Sequence, residues 1–259
     1  GLNYSSINLP GGSDIFVYTP DQSQVIGAIT SEEIPRPVFS TRPLAGDQLI
    51  IEYYEPANVK EIPLIDISGI VYMYRSFHDI ESPEAKSTAS GSCEVNINCE
   101  EGKNWQRQKQ GAVKILTNVT DTTQMPPRTS QFFCSGVVVN NTLQDFSGLI
   151  LTAGHCSEGN GKYATADDYA HWIIYFNYER PGCSNTGVPA QLSLVGVEKL
   201  ATSANLPDVG SDFLLLRSLK SIPAKYNAFY CGWDAGNTNS TFGVCIHHPD
   251  GDYKKVSTY

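Results

Sequence analysis

A histidine held still by its neighbours but open on one side can take a proton and return it near neutral pH. His155 has that setting in Ser147-Gly-Leu-Ile-Leu-Thr-Ala-Gly-His155-Cys156. An apolar, strand-like run delivers the ring into a tight turn, and a cysteine can lock the residue behind it. Such a base needs a carboxylate that fixes its tautomer and stabilises the imidazolium. Asp212, in Gly210-Ser-Asp212-Phe-Leu-Leu-Leu216, suits that role. A residue just before a buried apolar strand can be shielded from water and still face a cleft. Asp208 is the rival, but Pro207 and the lack of a following strand make it read as a turn residue. Two plainer readings compete: a histidine that ends a strand beside a disulfide, and an aspartate that caps a turn. The length of the run around His155 argues against the first.

The elements that must hold such a pair are strands. Gln110–Leu116, Gln131–Val139, Leu149–Ala153, Trp172–Phe176, Leu192–Gly196 and Asp212–Leu216 are short apolar runs without a helical period. Tyr226–Trp233 and Phe242–His247 continue the pattern. The first eighty residues have their own series: Asp14–Tyr18, Gln24–Ala28, Gln48–Tyr54 and Gly69–Tyr74, parted by turn residues such as Leu9-Pro-Gly-Gly. Close-spaced strands of this kind predict a small antiparallel β-sandwich over 1–78. No strand is expected before Leu9, so the start of this module is expected to be missing. A polar, turn-rich stretch, 79–90, reads as an exposed linker. The fold class is therefore all-β, in two parts.

The His155 run resembles the histidine segment of chymotrypsin-like serine proteases, where Thr-Ala leads into His-Cys. Other segments narrow the resemblance to the bacterial lysyl endopeptidases. They are Gly91-Ser-Cys93-Glu-Val-Asn-Ile-Asn-Cys99, Phe133-Cys134-Ser-Gly-Val-Val-Val-Asn140-Asn141-Thr142, Tyr175-Phe-Asn-Tyr178, Cys183, Gly232-Trp-Asp234 and Ile246-His-His-Pro249, in that order. The resemblance covers 91–259. It implies a trypsin-like double β-barrel of which the first barrel and the start of the second are present. It also implies peptide-bond hydrolysis by a His155–Asp212–Ser triad, secretion, and a zymogen whose 1–78 module is a prodomain removed at the linker, with Lys86–Ser87 the favoured bond. The competing reading of 1–78 is a generic carbohydrate- or protein-binding module.

The serine of that fold sits in a Gly-x-Ser-Gly-x-Pro-like loop after the aspartate, and this sequence has none. Ser90-Gly91-Ser92 and Cys134-Ser135-Gly136 are the nearest strings, and both precede His155. The nucleophile is expected beyond Tyr259, and the chain alone is expected to be inactive. Preference for lysine is implied by analogy only. Gly154 before His155 departs from the His-His pair of the lysyl branch. A rival from another class is a catalytically dead relative that serves as a binding or adhesion module.

Seven cysteines without C-x-x-C knuckles fit disulfides in an exported protein better than structural zinc. By resemblance Cys134 joins Cys156 and Cys99 joins Cys183. Cys93 would pair near a carboxyl end not present here, and Cys231 and Cys245 could pair across a hairpin. The odd count itself suggests a missing partner. His247 and His248 are adjacent on a strand and face opposite ways, which disfavours a shared metal. Neither a metal nor an organic cofactor is expected. The formal charge of −9 without a basic cluster argues against nucleic acid as a partner. No apolar run reaches the length of a membrane span. A monomer acting on peptide or protein substrates is the reading that results.

Overall fold

Alternating apolar residues build the first of two units, residues 1–77. The computed structural model describes residues 1–73, 90–91, 93–184, 186–203, 211–236 and 240–258. The expected linker 79–90 (Ser90 apart), its Lys86–Ser87 bond, and Asp208 lie outside them. Strands β1 (Leu2–Asn8), β2 (Asp14–Tyr18), β3 (Val25–Ile29), β4 (Phe39–Ser40), β5 (Ile50–Tyr54) and β6 (Leu64–Ile70) form two antiparallel sheets, ordered β4-β1-β6 and β3-β2-β5. Each buries one face: Leu2, Tyr4 and Ile7 in the first, Ile15, Val17 and Ile29 in the second.

Two expectations are corrected here. A strand does precede Leu9, and β1 is the centre of its sheet. Its alternation is hidden in the sequence because bulges shift its register against β6, moving the buried positions from Leu2 and Tyr4 to Ile7. Among the described residues the last strand of this unit is Leu64–Ile70, which takes in only Gly69 and Ile70 of the expected run and does not continue through 71–73. It pairs along the whole of β1, so register with the centre strand fixes its position.

The second unit, residues 78–259, centres on a curled sheet. Its strands are β7 (Val95–Asn96), β8 (Ala112–Leu116), β9 (Val119–Asp121), β10 (Arg128–Ser130), β11 (Phe133–Val139), β12 (Leu149–Ala153), β13 (Glu158–Gly159) and β14 (Lys162–Tyr163), followed after helix α1 (Ala166–Ala170) by β15 (Ile173–Phe176), β16 (Leu192–Val195), β17 (Val197–Thr202), β18 (Phe213–Ser218), β19 (Val244–His247) and β20 (Lys255–Thr258). Seven of them run in the order β16-β15-β8-β11-β12-β18-β17. The outermost strands, β16 and β17, are joined by the single residue Gly196. One residue cannot connect opposite edges of a flat sheet, so the sheet must curl until its edges meet. Gly196 makes that corner at φ +86, and a Cβ there would strike Leu219 Cδ1 at 2.7 Å.

Val113, Ile115, Val138, Ile150, Ile174, Leu214 and Leu216 fill the interior with Trp172. Trp172 donates its indole N–H to the Asn118 carbonyl at 3.0 Å, so the large ring is buried without an orphaned donor. The Asn118 amide donates to Asp168 and is itself buried, which closes the Asn118-Val-Thr120 string, an N-glycosylation pattern by sequence, to a glycan.

The run Tyr226–Trp233 is not a strand. Tyr226 ends a 3₁₀ turn, and Cys231 makes one parallel bridge with Val139. β19 pairs with β20, not with that run, so the expected hairpin does not form. Cys231 and Cys245 are accordingly free, as is Cys93.

Candidate active site

Antiparallel pairing brings the two candidate residues together from 57 positions apart. Ala153, the last residue of β12, pairs with Phe213, the first of β18. The turn after β12 and the residue before β18 therefore share one end of the sheet. His155 sits in the 3₁₀ turn Gly154–Ser157, and Asp212 immediately precedes β18.

The contact between them has three parts. The His155 Nδ1 atom is 2.7 Å from Asp212 Oδ2. The His155 backbone N–H donates to Oδ1 at 2.8 Å, and the Gly154 N–H donates to the Asp212 carbonyl at 2.9 Å. Both carboxylate oxygens are thus used by one residue, which sets the ring plane as well as its distance. With Nδ1 donating to the carboxylate, Nε2 carries the lone pair and can accept a proton. Asp212 takes the left-handed backbone conformation, φ 48, uncommon for a non-glycine residue. The hydrogen bond from the His155 ring, then that from its backbone N–H, hold the Asp212 carboxyl below its ordinary pKa. Both side chains remain largely exposed, 70% for His155 and 53% for Asp212.

Neighbours fix the frame. Cys134 of β11 is bonded to Cys156, beside His155, and the Thr152 hydroxyl donates to the Ser135 carbonyl at 2.8 Å. Ser157, buried, returns its hydroxyl to the Gly154 carbonyl at 2.7 Å. On the aspartate side, Ser203 Oγ accepts the Phe213 N–H at 3.0 Å, and the Thr202 hydroxyl donates to the Phe213 carbonyl at 2.9 Å. Thr202 and Ser203 were not foreseeable as site residues. Thr202 ends β17 and Ser203 follows it, with no chemical motif, and only the β17–β18 pairing places them behind Asp212. Opening the Cys134–Cys156 bridge, which spans 22 positions, removes a chain-entropy constraint of about 3 kcal/mol. The Cys134→Ala/Cys156→Ala variant is expected to show that loss as a lower urea midpoint, with an m-value raised because the unfolded chain without the bridge exposes more surface.

The donor atoms of Cys134, His155 and Cys156 lie within 4.8 Å of one another, spacing that could suit a metal. The two sulfurs are bonded to each other, so no thiolate is left to ligate. His247 and His248 diverge. His247 Nε2 is 3.1 Å from Ser257 Oγ, whereas buried His248 points Nδ1 at the Asp252 carbonyl, 3.0 Å away.

The second disulfide joins Cys99 to Cys183. Residues 87–259 match the family described as lysyl endopeptidase, C-terminal domain. The chain is 30% identical over 233 residues to a lysyl endopeptidase of Pseudomonas aeruginosa, an alignment covering 86% of this chain and 46% of the relative. It thus spans about half the length of the curated relative it matches.

Proposed function

We propose, from the premise that this chain belongs to the lysyl endopeptidase family, that it carries the histidine and aspartate of a secreted serine endopeptidase. The observation that carries this reading is the bidentate contact between Asp212 and His155. His155 Nε2 takes the proton of a serine hydroxyl as the serine oxygen bonds to the scissile carbonyl carbon. Asp212 stabilises the imidazolium that results. The same Nε2 then gives the proton to the leaving amine as the C–N bond breaks, and water, deprotonated in turn, releases the acyl group. None of these steps calls for a metal or organic cofactor.

The nucleophilic serine is placed beyond Tyr259. Supporting this are the lack of a Gly-x-Ser-Gly loop after Asp212 and the 46% share of the relative's length. Cleavage after lysine is supported by the family and by the relative's name. Export is supported by two disulfides. Residues 1–78 act as a prodomain, cut from 91–259 within the linker.

A serine-directed fluorophosphonate probe tests the reading on this 259-residue chain and on a carboxyl-extended form. The extended form is expected to label and the shorter one not. Labelling of the shorter chain overturns the placement of the serine. Labelling of neither favours a protease-like binding module.

A further inference from the structure

The outer face of the β3-β2-β5 sheet holds a cleft of about 260 Å³ lined by Phe16, Tyr18, Gln22, Val25 and Glu52. Strand alternation along β2 puts Phe16 and Tyr18 on the face opposite the buried Ile15 and Val17, and Gln22 comes from the turn that follows β2. The pairings Phe16–Glu52 and Tyr18–Val25 then set the two aromatic residues beside one carboxylate.

Both rings are held in place. Phe16 lies against Gly27, where a Cβ would come within 2.4 Å of its Cδ1, so only glycine leaves room for the ring on β3. Tyr18 donates its hydroxyl to Glu52 Oε2 at 2.9 Å. That bond also aims the carboxylate, which keeps acceptor capacity for a second donor. Val25, 47% exposed, forms an apolar rim.

We propose that this cleft binds the long cationic side chain, lysine or arginine, of an extended peptide segment. Aromatic faces accept the apolar stem and attract the cation, and Glu52 receives the charged end. Residues 1–77 carry nine acidic against four basic residues, so the unit as a whole attracts cations and repels acidic ligands. A sugar would also stack on the rings. It needs several directed polar partners, however, and the lining offers only Glu52, the Tyr18 hydroxyl and Gln22. The inference does not depend on the peptidase reading, because none of its residues belongs to the His155–Asp212 pair.

The test is calorimetric titration of the 259-residue chain with Ac-Gly-Gly-Lys-Gly-Gly-NH2, with its norleucine counterpart, and with cellotetraose. Saturable binding of the lysyl peptide is expected, about tenfold weaker with norleucine or in Glu52→Gln, and unchanged in Asp212→Asn. Ring-proton resonances of Phe16 and Tyr18 should shift in the unaltered protein, so the result does not depend on any variant folding. Equal binding of the norleucine peptide, or preferred binding of cellotetraose, overturns the proposal. So does no saturation below about 10 mM, or an unchanged affinity in a folded Glu52→Gln protein.

Discussion

Replacing Asp212 with asparagine in the carboxyl-extended protease is expected to lower kcat about 10⁴-fold and leave KM nearly unchanged. The variant keeps the shape of the contact and the acceptor for the His155 N–H, now at 2.8 Å from Oδ1. What changes is the atom facing Nδ1, now 2.7 Å from a carboxylate oxygen. An amide NH2 there donates instead of accepting. The ring proton then moves to Nε2, which can no longer act as a base. His155→Ala should cost more, about 10⁶-fold, because it removes the proton carrier itself. The measurement is steady-state hydrolysis of a lysyl amide substrate, with thermal unfolding to show that Asp212→Asn is folded. A loss below about tenfold in the folded variant would remove Asp212 from the mechanism. The wild-type acid limb should not report Asp212, since His155 keeps that carboxyl ionised below its ordinary range.

The pair was legible because its chemistry is written locally on both sides. A strand-like run ends in a turn at His155, and a polar turn leads into another run at Asp212. A sheet that sets the two runs side by side then completes the contact. Features that depend on long-range pairing were not legible. The bulged β1 reads as a loop because its buried positions change parity partway along. β17 was missed because four of its six residues are exposed, which weakens the apolar signal of an edge strand. Tyr226–Trp233 carries an apolar run fit for a strand, yet its backbone bonds go singly to Gln110, Val138 and Asn140. Propensity was present there, but no continuous partner was.

Buried charge was the least legible feature, and it supports the last prediction. Lys114 faces outward from β8 yet is buried, its Nζ 4.0 Å from the centre of the Phe133 ring and 4.1 Å from that of Tyr178. Burial pushes its pKa down to about 7, against the pull of nearby Asp252. Lys254, also buried, pairs with Glu179 at 3.1 Å and is pushed down by burial to about 8. An unfolded lysine titrates near 10.4, so above about pH 7 the unfolded chain binds more protons than the native one. Stability should therefore rise with pH from about 7 towards 10, by roughly 1 kcal/mol per pH unit for each lysine. Groups shifted the other way bound the window, and the Cys231 thiol and Tyr4 hydroxyl, both raised by burial, oppose the rise at its upper end. Burial of Tyr178 raises its pKa well above 10, so its contribution is lost once the unfolded tyrosine ionises. Burial of His248 lowers its pKa well below 6.5, so stability falls further as the unfolded histidine takes a proton in acid. Urea unfolding across pH 6 to 10 should show this rise, and Lys114→Met should remove part of the slope while keeping the stem's apolar packing. A stability that is flat or falling between pH 7 and 9, or an equal slope in Lys114→Met, would mean that Lys114 keeps its proton. The two rings and Asp252 would then outweigh the cost of burying it.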